Sequence, residues 1–103
     1  MFVSRSHEFH RDPIRTIEKQ SGFLRLLLYL DEHGEQSVTE ILDRSGIFVH
    51  QLYVCIEMAR NWKSVSSRID KSSYPNRNLI GITGKGRKTA LQLRLFLILV
   101  AEA

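Results

Sequence analysis

One cysteine, Cys55, stands in a chain of 103 residues. A single thiol excludes an intrachain disulfide framework and fits a reducing compartment. Long apolar runs are missing too. The longest, Leu95 to Ala101, has seven residues, whereas a membrane-crossing helix needs about 20. Met1 to His10 has no apolar stretch of the kind a secretory signal carries. These absences point to a cytoplasmic protein with no membrane contact. Internal repeats and low-complexity tracts are absent as well. The length allows one small domain and excludes the large α/β enzyme architectures, which need roughly 200 residues. Catalytic spacing is also lacking. Gly84-Lys85-Gly86-Arg87-Lys88 is glycine- and lysine-rich but does not follow Gly-x4-Gly-Lys-Ser/Thr, so it is no phosphate loop. His7, His10 and Asp12 lie close together in a polar tail, which outweighs a metal site there. No enzyme activity, metal or cofactor is expected.

What is there is ordinary globular composition, 43% apolar and 25% charged, with net charge +4. The charge is unevenly placed. Residues 1–59 hold six basic and nine acidic residues. Residues 60–88 hold eight basic residues against Asp70 alone, a local +7. Attraction to phosphate acts within about a Debye length of 8–10 Å, so this local excess matters more than the total.

Apolar spacing sets out the elements. Residues 1–12 read as a flexible tail and 13–101 as one domain. Asp12-Pro13 opens a short helix through Gln20, as N-cap and first helical position. Phe23, Leu27 and Leu30 share a face of a second helix, flanked by Leu24, Leu26 and Leu28, and Gly34 ends it. Ser37-Val38-Thr39-Glu40 is a capping box for a short helix that Gly46 stops. Leu52, Cys55, Ile56 and Ala59 form the inward stripe of a helix from Phe48 to Asn61. In that stripe Cys55 reads as a small core residue ahead of a redox sensor. The period then drops to two. Val65, Ser67 and Ile69 mark one strand, and Leu79 to Thr83 mark a second, joined as a hairpin. Thr83 is placed to cap a last helix over 84–101.

Helix, capped short helix, glycine turn, helix, hairpin, helix is an order that resembles the winged helix-turn-helix. The run Ile82-Thr83-Gly84-Lys85-Gly86-Arg87 is similar to the end of the wing in MarR-like and PadR-like transcription regulators, in their small prokaryotic, archaeal or viral forms. Two positions depart from those families. Phe48 stands where a small polar cap is usual, and Ala59-Arg60-Asn61-Trp62-Lys63-Ser64 replaces Leu-x-x-x-Gly-Leu, with Trp62 placed to fill volume beside Ala59. The resemblance implies a mainly α fold with a small β-hairpin. The helix-turn-helix covers 37–61, the wing 65–83, and an additional C-terminal helix is expected to make a dimer. It also implies sequence-specific binding of double-stranded DNA in the cytoplasm, at the nucleoid.

The residues fit that use in a definite way. A helix is the right width for the major groove. On the helix from Phe48, the face away from the core carries His50, Gln51, Tyr53 and Val54, with Val49 and Glu57 beside them. Gln51 has the donor and acceptor pair that adenine needs, and Val49 or Val54 is suited to a thymine methyl. Arg60 and Lys63 are placed for phosphates at the helix end. The wing offers Arg68, Lys71, Tyr74 and Arg77 for backbone or narrow minor groove. Two other readings stay open: a protein-interaction module using the same face, and nonspecific, chromatin-like DNA binding.

The last helix is apolar on every side. Leu91, Leu95, Phe96, Ile98 and Leu99, with Leu93, Leu97 and Val100, leave it no polar face. A second copy of the chain is the expected cover, with the N-terminal helix bearing Ile14 and Ile17 contributing. Burial by that N-terminal helix within one chain is the alternative.

Overall fold

A computed structural model describes residues 13–20, 22–72 and 74–102. The cap at Asp12, the break at Ser21, and the tail with His7 and His10 lie outside them. The elements in order are α1 (Pro13–Lys19), α2 (Gly22–His33), β1 (Gln36–Ser37), α3 (Val38–Arg44), α4 (Val49–Asn61), β2 (Val65–Asp70), β3 (Arg77–Ile82) and α5 (Gly84–Ala101).

The short-range signals act as expected. Gly34 and Gly46, at φ +79° and +81°, end α2 and turn the chain after α3 in the left-handed region that glycine enters without strain. Both halves of the capping box form. The Glu40 amide donates to Ser37 Oγ at 3.2 Å, and the Ser37 amide donates to Glu40 Oε1 at 2.9 Å. That second bond, from the Ser37 amide, is the main reason the Glu40 carboxyl lies below its ordinary pKa; the Ser37 hydroxyl and Arg77 add to it. Glu40's share of stability is therefore present above the ordinary carboxylate range. It is lost as pH falls through the depressed value. Ser37→Ala should cost about 1 kcal/mol in urea unfolding, the usual worth of a helix cap; an unchanged midpoint would show that α3 does not need the box.

One strand was not expected. Glu35 and Gln36 read as a linker and Ser37 as a helix cap, but Gln36 and Ser37 pair antiparallel with β3, Gln36 opposite Ile80 and Ser37 opposite Leu79. The sheet order is β1-β3-β2. Two residues carry no alternation, so only the pairing reveals the strand. In the hairpin, Arg68 lies opposite Leu79 and Asp70 opposite Arg77.

The core gathers where α2, α3 and α4 meet the base of the sheet. Phe23, Leu26, Leu27, Leu30, Ile41, Leu52, Ile56, Ala59, Val65 and Ile80 are buried there. Trp62 meets Phe23 edge to face, with ring centroids 5.1 Å apart, and packs against this core. Cys55 is fully buried, and burial pushes its thiol up to about 11. It is a core residue and not a reactive thiolate.

The C-terminal helix starts on a clamp. Thr83 Oγ1 accepts from the Gly86 amide at 3.0 Å and donates to the Lys63 carbonyl at 2.7 Å. The Thr83 amide donates to the Ser64 carbonyl at 3.0 Å. Lys85 Nζ donates to the Trp62 carbonyl at 2.7 Å. Lys63 itself turns at φ +59°. The Thr83–Lys85–Gly86 run that resembles the regulators' wing end is thus a structural joint at the foot of α4. Further along, Arg87 and Arg94 both reach Asp31 of α2, at 3.5 and 3.2 Å. Beyond that, α5 has little cover. Leu91, Leu95, Phe96, Ile98 and Leu99 are all more than half exposed, and Ile14 of α1 is 70% exposed. Burial of α5 by α1 within one chain therefore does not occur. Ile17 packs against the core instead.

Candidate nucleic-acid interface

The exposed side of α4 lies opposite its stripe of Leu52, Cys55, Ile56, Met58 and Ala59. Val49, His50, Tyr53, Glu57, Arg60 and Asn61 are exposed on it. His50 and Tyr53 stand where the periodicity puts them. Val54 is half-buried. With His50, Tyr53, Met58 and Asn61 it lines a groove of about 560 Å³, whose other wall is Thr16, Lys19 and Gln20 at the end of α1. Gln51 differs from expectation. It is half-buried, and its amide lies 3.2 Å from where a Cβ on Gly22 would stand. It fills the notch that Gly22 leaves at the start of α2.

The cations are more engaged than a count along the chain suggests. Arg60 donates to Glu57 Oε1 and to Ser67 Oγ, both at 2.9 Å. It thereby ties the end of α4 to β2. Arg68 makes a two-pronged pair with Glu35, at 3.0 and 2.8 Å. That carboxylate raises the Arg68 pKa above its ordinary value. Arg77 lies 3.7 Å from Asp70 and 4.0 Å from Glu40. Asp70 accepts from the Ser72 hydroxyl and amide, the hydroxyl being the larger influence, and these hold its carboxyl below the ordinary value. Exposed pairs of this kind are weak in water and open to exchange for phosphate. Among the described residues, Lys63 and Lys71 carry no ion pair. Tyr74 stands in the wing loop, 98% exposed.

The fold does bring the cations together. A shallow cleft of about 810 Å³ along the wing is lined by Arg60, Arg68, Lys71 and Arg77, with Ser67 and Asn78. The helix end and the wing thus present one basic surface. Lys63 sits at the turn between them. Phe48, in sequence only a missing cap, also stands at this surface. It is the N-cap of α4, makes no side-chain cap bond, and is 81% exposed. The signal was in the sequence: a large apolar residue at a position that wants a small polar one.

No protein-family model and no curated protein matches the chain. Among solved structures, the transcriptional regulator homologue protein from Pyrococcus horikoshii OT3 superposes with a TM-score of 0.67. The match covers 76% of this chain and 77% of that one, at 17% identity. At that identity the likeness is one of fold. This chain is a winged helix. In this fold α4 takes the position called the recognition helix, β2 and β3 form the wing, and β1 is the short strand that closes the sheet. The described residues contain no group of side chains arranged to hold a metal ion and no helix long and apolar enough to cross a membrane.

Proposed function

We propose that the protein is a transcriptional regulator that binds double-stranded DNA sequence-specifically as a homodimer, in the manner of MarR-like and PadR-like regulators. The observation that carries this reading is the cleft where Arg60, at the end of the recognition helix, joins Arg68, Lys71 and Arg77 of the wing. Here α4 enters the major groove with His50 and Tyr53 toward base edges. The arginines exchange their carboxylates for phosphates, and Tyr74 lies against a sugar. Two copies joined through α5 present two recognition helices to two half-sites. The place of action is the nucleoid.

A salt titration by fluorescence anisotropy on duplex DNA tests it. Each phosphate neutralised lowers the logarithm of affinity by about 0.9 per tenfold salt, so about eight contacts in a dimer, four in each copy, lose roughly 10⁴-fold between 50 and 200 mM. Lys63→Ala with Lys71→Ala should flatten that slope by about one for each lysine in each subunit. Absence of binding at low salt rejects the proposal. A preference over random duplex well under about 10³-fold favours a chromatin-like role instead.

One observation favours a second reading. The α4 face has no unpaired lysine or arginine, and Phe48, Val49 and Tyr53 stand exposed beside it. That composition also suits a protein partner. Were function to survive Arg68→Ala, Lys71→Ala and Arg77→Ala but not Tyr53→Ala, the protein-interaction reading would win.

A further inference from the structure

We propose that the tip of α4 reads thymine methyl groups, so that the DNA this protein selects is rich in A·T pairs with thymines facing Phe48 and Val49. This rests on the DNA-binding reading above and names its target class.

The tip of a recognition helix is the part that meets base edges in helix-turn-helix docking. Here that tip is apolar. Phe48 is 81% exposed, Val49 is 55% exposed, and Tyr53, one turn on, is 56% exposed. Phe48 does nothing for the fold that an ordinary residue would not do better. It makes no cap bond and lies outside the buried core. Serine, threonine, aspartate or asparagine at that position would satisfy a free amide of α4. A local rule broken at an exposed position points to use by a ligand.

The usual bidentate readers of the other bases are missing from the tip. Guanine is read by an arginine or lysine fork on O6 and N7. From Val49 to Ala59 the helix has neither. Arg60 comes only at its far end and is held by Glu57 and Ser67. Cytosine is read by an acid accepting from N4. The acid available on this helix, Glu57, faces that same arginine. Adenine is read by asparagine or glutamine; Gln51 is folded against Gly22, and Asn61 is the last residue of the helix, about three turns from its tip. The base feature left for Phe48 and Val49 is the thymine C5-methyl, the apolar mark of the major groove.

The experiment compares the full chain on three short duplexes by anisotropy: alternating A·T, the same with every thymine replaced by deoxyuridine, and alternating G·C. Replacing thymine by deoxyuridine removes the methyl and leaves the charge and pairing. One methyl contact corresponds to roughly a four-fold change in affinity, so two tips in a dimer should lose about ten-fold or more. The companion variant is Phe48→Ser. It supplies the missing cap, so its melting temperature should not fall, yet its preference for the thymine over the uracil duplex should shrink to what Val49 alone supplies. Equal binding of those duplexes by the wild type, or tighter binding to G·C, overturns the inference while DNA binding stands. Wild-type discrimination that persists undiminished in Phe48→Ser overturns the role of Phe48. No binding to any of the three overturns the DNA reading itself, and this inference with it.

Discussion

Gly86→Ala should destabilise the protein by about 3 kcal/mol, although alanine is the better helix former by about 1 kcal/mol. The clash decides the sign. A Cβ at residue 86 would fall 2.2 Å from the Ser64 carbonyl oxygen and 2.6 Å from Ile82 Cγ1. The Ile82 side chain has some freedom to shift. The Ser64 carbonyl is main chain, and it already accepts the Thr83 amide at 3.0 Å. Next to it, Lys63 sits at φ +59° with its carbonyl held by the Thr83 hydroxyl. Relief means moving α5 off the foot of α4, which loosens several hydrogen bonds together. In a domain of this size, 3 kcal/mol lowers the melting temperature by roughly 12–24 °C. Gly84→Ala is the control, since nothing lies within 4 Å of a Cβ there; it should be neutral or slightly stabilising. A Gly86→Ala protein as stable as wild type in chemical denaturation would show that the clamp yields freely.

The double substitution Leu95→Glu, Leu99→Glu should turn a dimer into a monomer and reduce affinity for a two-half-site duplex by roughly 10²-fold or more. Leu91, Leu95 and Ile98 recur at four- and three-residue spacing along the outer face of α5, with Phe96 and Leu99 beside them. All are between 52% and 66% exposed in the single chain. An apolar strip of that length is what a second α5 covers in a two-fold arrangement. Four glutamates in such an interface are desolvated like charges, which no dimer of modest area tolerates. The fold should survive, because neither residue belongs to the core. Sedimentation velocity reads the mass, and circular dichroism confirms the helices. A wild-type protein that sediments as a monomer at micromolar concentration removes the dimer outright. A double variant that stays dimeric places the interface elsewhere.

Much of the fold was legible because its signals are local. The capping box joins Ser37 and Glu40, three residues apart. The turns at Gly34 and Gly46 depend on single residues. The inward stripe of α4 repeats over three turns, and the structure adds only Met58 to it. What was not legible depends on partners far along the chain. Glu35 meets Arg68 across 33 residues. Such pairing means that part of the +7 counted over residues 60–88 is met in space by acids from earlier in the chain, at Arg60, Arg68, Arg77 and Arg87. Gly86 shows its purpose only beside Ser64, 22 residues earlier. Gln36 and Ser37 become a strand because Leu79 and Ile80 lie next to them. The alternation through Ile69 marked a strand correctly, yet Ile69 is 59% exposed, because the wing runs out past the body of the protein. At the proposed DNA surface, helix periodicity placed His50 and Tyr53. It missed the notch at Gly22 that draws in Gln51, because that notch belongs to another helix.

The joint formed by Lys63, Ser64, Thr83 and Gly86 has a mechanical consequence. It works as a stiff elbow between the helix proposed to join subunits and the helix proposed to read DNA. In a dimer built on α5, the distance between the two reading heads is then set by how α5 crosses its twin, with little slack to absorb error. Such a dimer behaves as a calliper with a fixed span. Its heads match half-sites about one helical turn apart, roughly 34–36 Å between centres. Inserting a single base pair between the half-sites rotates one out of line with its head. The penalty for that insertion should be steep, and Gly86→Ala, by loosening the elbow, should make it shallower.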